Sequence, residues 1–154
     1  MKIFRGDESH VHQIMEVWKE FMEYHQRIDP YYDTVEDGHL MFGQYIIERI
    51  SRDDSLVLVA MEGEYLLGYC LSYIHQRPPV FSEKSVGIVS DLAVRKAHRN
   101  EGTGGALIES SLGWFRERGV TRVELRTSAL NAPSIEFYQK QGFRIYDHMM
   151  TREI

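Results

Sequence analysis

Apolar positions recur along this chain with two periods, close to 3.6 residues in some stretches and unbroken or alternating in others, and the changes of period divide it into elements. Lys2 to Arg5 reads as a short strand. Asp7 is placed to cap a helix whose Val11, Ile14, Met15, Trp18, Phe21 and Met22 share one face. Asp29-Pro30-Tyr31-Tyr32-Asp33 breaks that period, and a second helix follows from Leu40 to Ile50, with Met41, Tyr45 and Ile46 apolar. Ser55 to Ala60 is a continuous apolar run of the kind found in buried strands. Glu62-Gly63-Glu64 turns it, and Tyr65 to Ile74 returns as the second arm of a hairpin.

After a loop containing Pro78 and Pro79, a strand is expected from Val86 to Val94, then a helix from Gly102 to Arg118 with Ala106, Leu107, Leu112 and Phe115 apolar and Gly119 ending it. Val120 to Thr127 is the next strand. Asn131-Ala132-Pro133 opens a short helix carrying Ile135, Phe137 and Tyr138, because proline is tolerated in a first turn; Gly142 closes it before a last strand from Phe143. The order strand, helix, helix, three strands, helix, strand, helix, strand predicts an α/β fold with a mixed sheet and helices on its faces. Val86 to Thr127 should form a parallel, right-handed crossover. At 154 residues, positions 1–154 are expected to make one domain.

Composition narrows the function classes. A hydrophobic fraction of 43% without any long apolar run argues against a membrane span, and the polar start of the chain shows no secretion signal, so a cytoplasmic location is expected. The formal charge of −5, from 18 basic and 23 acidic residues, speaks against general nucleic-acid binding. Cys70 is the sole cysteine, which excludes an internal disulfide. Seven histidines are scattered without ligand spacing, and no metal is expected.

The chemistry concentrates in Arg99-Asn100-Glu101-Gly102-Thr103-Gly104-Gly105, between a strand and a helix. Glycines there let the backbone approach a ligand, and the helix start offers free N–H groups and a positive dipole end to an anion; Arg99 adds a cation. A Walker loop would need Gly-Lys-Ser/Thr, whereas Ala106 follows Gly104 and Gly105. A dinucleotide fingerprint would need a glycine at position 107, which is Leu.

The stretch Val89-Ser90-Asp91-Leu92-Ala93-Val94 followed by Arg99 to Gly104 resembles the first signature of the GCN5-related N-acetyltransferase (GNAT) superfamily. Asn131-Ala-Pro-Ser-Ile-Glu-Phe-Tyr138-Gln-Lys-Gln-Gly142-Phe143 resembles its second. The resemblance implies a sheet of six to seven strands with about four helices, and an acetyl-CoA-dependent N-acetyltransferase without a metal. The backbone of Leu92, Ala93 and Val94 would pair with the pantetheine arm, and the amides of Asn100, Glu101, Gly102, Thr103, Gly104 and Gly105 would hold the pyrophosphate. Asn131 would contact the arm, and Tyr138 would protonate the leaving thiolate. A homodimer is common among the proteins it resembles.

An ammonium acceptor must lose a proton before it attacks an acetyl carbonyl. Asp91, next to Leu92, is the candidate base, with a substrate anchor or a plain polar strand residue as its other readings. The loop bearing Tyr24, His25, Asp29, Tyr31 and Tyr32 is the candidate acceptor pocket. From Glu20 to Asp37 six acids face one strong base, Arg27, which suits an amine on a small molecule or peptide. Family members that acetylate ribosomal proteins look to carry a glutamate where this chain has Arg126, with Glu124 two residues earlier. The other functions open to these residues are a non-catalytic acyl-CoA sensor and transfer of a different acyl group.

Overall fold

The computed structural model describes residues 1–154. Its strands are β1 (Lys2–Arg5), β2 (Ser55–Glu62), β3 (Tyr65–Gln76), β4 (Ser85–Val94) and β5 (Val123–Leu125); its helices are α1 (Val11–Ile28), α2 (Gly38–Ile50), α3 (Thr103–Glu117) and α4 (Ala132–Lys140). The strands lie in one sheet in the order β1-β2-β3-β4-β5. Neighbours are antiparallel except β4 and β5, which are parallel across the α3 connection as their spacing predicts.

The unbroken apolar runs of β2 and β3 are buried on both faces, because helices cover both. On one face Val57, Val59, Leu66, Tyr69 and Leu71 pack under Val11, Ile14 and Val17 of α1 and Ile46 of α2. On the other, Leu56, Leu58, Leu67 and Cys70 pack under Leu107, Ile108 and Phe115 of α3, with Phe137 and Tyr138 of α4 at the margin. Trp18 stacks on Phe42 with ring centroids 4.8 Å apart, and Trp114 lies against Phe115; both tryptophans join the apolar clusters.

The sheet has five strands, fewer than the sequence pattern suggested. Residues 143–154 form no strand. Phe143 is held against Tyr138, but Ile145, Tyr146, Met149 and Met150 stay 62 to 93% exposed, so neither face of the segment is covered as both faces of β2 and β3 are. The expected strand from Val120 to Thr127 shrinks to Val123–Leu125, because Val120 N–H donates to the Phe115 carbonyl and closes the helix end instead. Asp7 caps a 3₁₀ turn, Glu8–His10, that leads into α1.

Two features shape the far end of β4. Leu71 pairs with Asp91 and Ser72 with Val89, so Ser90 is an extra residue. This bulge reverses the facing: Val89 and Leu92 both lie on the α3 side although three residues apart, and Ala93 joins the α1 side. The pairing with β5 stops at Val89, so beyond the bulge β4 has no neighbour on that edge.

Gly68 allows the opposite edge of β4 to sit close. A Cβ there would lie 2.6 Å from the Ala93 carbonyl oxygen and 3.1 Å from Val94 Cα, both backbone atoms that cannot swing aside. Gly68→Ala is expected to destabilise the protein by about 1–3 kcal/mol and to push the end of β4 outward. Thermal denaturation would register the first effect.

Candidate active site

Beyond its open edge β4 leads through a 3₁₀ turn, Lys96–His98, into the glycine loop. Asn100 and Gly102 both take left-handed backbone conformations, with φ of 63° and 85°, and it is this double turn that swings the chain from strand to helix. Ala106 N–H donates to the Gly102 carbonyl in the first turn of α3, which leaves the amides of Thr103, Gly104 and Gly105 without helical acceptors. No side chain caps this end and no acidic residue sits in its first turn. An anion is what those amides lack.

Gly104 and Gly105 have a second use that the sequence did not disclose. A Cβ on Gly104 would meet the Phe137 ring at 3.2 Å, and one on Gly105 would meet Gln141 at 3.5 Å. Their smallness brings α4 against the start of α3, and so brings Asn131 and Tyr138 toward the open edge of β4.

Asn131 is buried at the N-cap of α4, where its Oδ1 accepts the Ser134 N–H at 3.3 Å and the Tyr24 hydroxyl at 3.2 Å. Arg99 donates from Nε to the Val94 carbonyl at 3.1 Å, and its guanidinium lies 5.6 Å from the Tyr24 ring centre. Tyr24 therefore reaches the groups expected at the coenzyme. Glu101 lies 3.3 Å from the ring of His98.

Asp91 and Tyr138 belong to opposite faces of the sheet, close enough that the charge of the carboxylate acts on the phenol. Asp91 is half-buried, yet its carboxylate is packed closely enough that desolvation pushes its pKa up to about 6, with the Ser90 hydroxyl and the charge of His25 acting in the opposite direction. Tyr138, in contact with Phe137 and Phe143, is raised above the usual phenol range by burial first and by the charges of Cys70 and Asp91 next. The bulge is what puts Asp91 on the α1 side, near His25.

Cys70 is buried and its thiol is pushed up to about 12, mainly by desolvation, so it holds no thiolate at neutral pH. Tyr69, unmarked in the sequence, is wholly buried on the α1 side; its hydroxyl has no hydrogen-bond partner, and after burial the charge of Asp91 is the next cause raising its pKa. No local pattern distinguishes it from any other strand tyrosine.

Of the expected acceptor residues, Tyr24, His25, Tyr32 and Tyr31 form a run of edge-on rings with centroids 5.6 to 6.4 Å apart, while Asp29 serves the backbone beside them. His25 donates from Nδ1 to the Phe21 carbonyl at 2.8 Å, which leaves Nε2 with the lone pair in the neutral ring, and Tyr32 stands edge-on to it at 5.6 Å. Asp29 accepts the Tyr31 N–H at 3.0 Å and so shapes its own turn, while the Tyr31 ring is 91% exposed. A cleft of about 820 Å³ between α1 and the β4–α3 connection is lined by Glu20, Glu23 and Tyr24 on one wall and by Arg95, Lys96 and Arg99 on the other. The acid excess of the 20–37 stretch is thus faced by basic residues distant in sequence: Arg95 pairs with Glu16 at 2.8 Å and Glu20 at 3.5 Å. Glu124 is held by Arg122 at 2.8 Å. No group of three or more His, Cys, Asp or Glu side chains is arranged to hold a metal ion, and no helix is long and apolar enough to cross a membrane.

Comparison with known proteins agrees with this geometry. Mycothiol acetyltransferase of Corynebacterium glutamicum is 29% identical over 100 residues, which are 65% of this chain and 32% of that protein, so the chain spans about a third of that relative's length. A solved structure of a tetramutant of the BH1408 protein of Bacillus halodurans superposes with a TM-score of 0.91 at 18% identity, covering 100% of both chains. AAC(6')-Iy, solved with the bisubstrate analogue CoA-S-monomethyl-acetylneamine, superposes with a TM-score of 0.74 at 19% identity, covering 99% of this chain and 97% of that one. These likenesses establish the mixed α/β fold. The profile of the acetyltransferase (GNAT) family matches residues 12–143, and the chain belongs to that family.

Proposed function

We propose that residues 1–154 act as one acetyl-CoA-dependent N-acetyltransferase domain, transferring acetyl to a primary amine of a small molecule or peptide within a ternary complex. The observation that carries this reading is the unpaired edge of β4 beyond Ser90, which leads into the uncapped start of α3 with Asp91 and Tyr138 on its two sides. An extended amide-bearing arm can add to that edge as a strand would, with Leu92, Ala93 and Val94 supplying the backbone groups. The amides from Asn100 to Gly105, with Arg99, suit the pyrophosphate.

Asp91 takes the proton of the incoming ammonium, directly or through water, because a carboxyl with a pKa of about 6 is largely ionised at neutral pH and still basic enough to accept it. The amine nitrogen then bonds to the acetyl carbon as the carbon–sulfur bond breaks. The backbone N–H near Leu92 is available to the charge that develops on the carbonyl oxygen. Tyr138 passes its phenolic proton to the departing sulfur. Cys70, with its thiol held protonated, takes no acetyl group.

A relative named for acetylating mycothiol and a neighbour solved with an acetylneamine analogue support an amine-bearing acceptor. A cytoplasmic location and a homodimer belong to the same reading. Calorimetry tests it: acetyl-CoA and CoA are expected to bind with Kd between about 1 µM and 1 mM, the ordinary range for enzyme substrates. An amine panel followed by free-thiol release should then show acceptor-dependent turnover. Binding without such release would instead make the protein an acyl-CoA sensor, and no binding at millimolar coenzyme would end the proposal.

A further inference from the structure

We propose that Tyr24 is a latch on the coenzyme cleft, closing α1 onto Asn131 and releasing it when the coenzyme arm enters; this rests on the coenzyme reading above. Tyr24 lies in the last two turns of α1, a helix that contributes to the opposite face of the sheet from α4. Its hydroxyl nevertheless crosses to Asn131, 107 positions away, at 3.2 Å. The same ring stands 5.6 Å from the guanidinium of Arg99. One side chain thereby joins a residue from each of the two segments that resemble coenzyme-binding motifs.

The capacity of Asn131 Oδ1 shows when this contact has to yield. A side-chain carbonyl oxygen has two lone pairs. Both are used here, one by the Ser134 N–H that caps α4 at 3.3 Å and one by Tyr24. The Ser134 bond secures the start of a helix and is integral to the fold, whereas the Tyr24 bond links two separate elements, the end of α1 and the N-cap of α4. An arm that donates an N–H to Asn131 Oδ1 therefore displaces Tyr24. Arg99 is engaged in a similar way through its bond to the Val94 carbonyl at 3.1 Å, so the movement of Tyr24 also frees the ring against which Arg99 rests.

A latch of this kind acts as a population effect. Coenzyme binds only the open form, so its apparent Kd is the intrinsic value divided by the fraction open. The net worth of one neutral hydrogen bond corresponds to a factor of about 2 to 10 in that fraction. The bond is part of the free protein alone, and the effect falls on association.

The test compares wild type with Tyr24→Phe, which keeps the ring beside Arg99 and removes only the donor. Using CoA as the probe, the variant is expected to bind about 2- to 10-fold more tightly by calorimetry, with the association rate in stopped flow raised by the same factor and the dissociation rate unchanged. A purely structural role would lower thermal stability and leave the association rate where it was, and that result overturns the latch. Weaker binding by Tyr24→Phe also overturns it, since the hydroxyl would then be a direct coenzyme contact. A second measurement does not depend on the variant: a crystal structure of the wild-type protein with CoA should show Tyr24 Oη beyond hydrogen-bond distance of Asn131 Oδ1, and an intact bond there refutes the proposal. If wild type binds no CoA, the coenzyme reading falls and the latch with it; if wild type binds and the two proteins do not differ, only the latch falls.

Discussion

Tyr138→Phe is expected to lower turnover by about 10²-fold or more while leaving coenzyme affinity within about twofold of wild type. The substitution removes one oxygen and preserves the ring that packs on Phe137 and Phe143, so the fold and the α3–α4 contact stay as they are. A departing thiolate, whose conjugate acid titrates near about 8.5, gains from a donor that still holds its proton at neutral pH. Tyr138 is such a donor because burial disfavours its ionised form and the charge of Asp91 disfavours it further. Its pKa is raised, so the neutral phenol persists through the alkaline range in which amines become free bases, and no descending limb below about pH 10 should belong to it. Steady-state thiol release gives the turnover and calorimetry the affinity. Unchanged turnover removes the acid role.

Asp91→Asn should show opposite signs in activity and stability. In wild type kcat/KM is expected to rise with pH through about 6, where Asp91 ionises, instead of through the ordinary carboxylate range near 4. The variant should lose that limb and about 10²-fold or more of its activity. Stability and protonation are linked: the folded-state pKa lies above the unfolded value of 3.8, so the native state holds a proton that the unfolded chain releases between about pH 4 and 6. The contribution of this group is present in acid and lost as pH rises through 6. A shift of about two units corresponds to at most ~3 kcal/mol, and the partial solvent contact of Asp91 reduces it, so Asn in its place should stabilise the protein by ~1–2 kcal/mol at pH 8 and by little at pH 4. Denaturant titrations at the two pH values measure the difference. A residue that merely braces the strand would lose stability along with activity.

The consequences of Gly68→Ala reach the same site from the other edge of β4. If the end of the strand moves outward, coenzyme binding weakens, because Gly68 backs Ala93 and Val94 from the far edge of β4. Distance in sequence is no guide here, because the strand transmits the displacement through its backbone.

Much of the architecture was legible along the chain. The helices and four of the strands follow from apolar periodicity, since each period is a direct record of which face is buried. The two motifs and their order pointed to the GNAT family, and the glycine loop pointed to an anion, because left-handed backbone at Gly102 and a bare helix start depend on local residues. The expected last strand does not form, since Ile145, Tyr146, Met149 and Met150 stay exposed and whether an apolar segment finds a covering layer is not written in the segment itself. The acidic look of the 20–37 stretch was a sequence-local reading, and the folded cleft sets Arg95, Lys96 and Arg99 against it.

Local residues, then, determined by themselves the helices, the positions of most strands and the loop between β4 and α3, for each depends on neighbours within a turn or a few residues. Only the tertiary structure decided which way Asp91 faces, since that depends on one unpaired residue at Ser90, visible solely as register against β3. It alone decided that Gly104 and Gly105 serve the approach of α4, and that Tyr24 bonds Asn131 across 107 positions while its ring lies beside Arg99. Contacts of that kind are set by how whole faces pack, and a linear pattern carries no record of which faces meet.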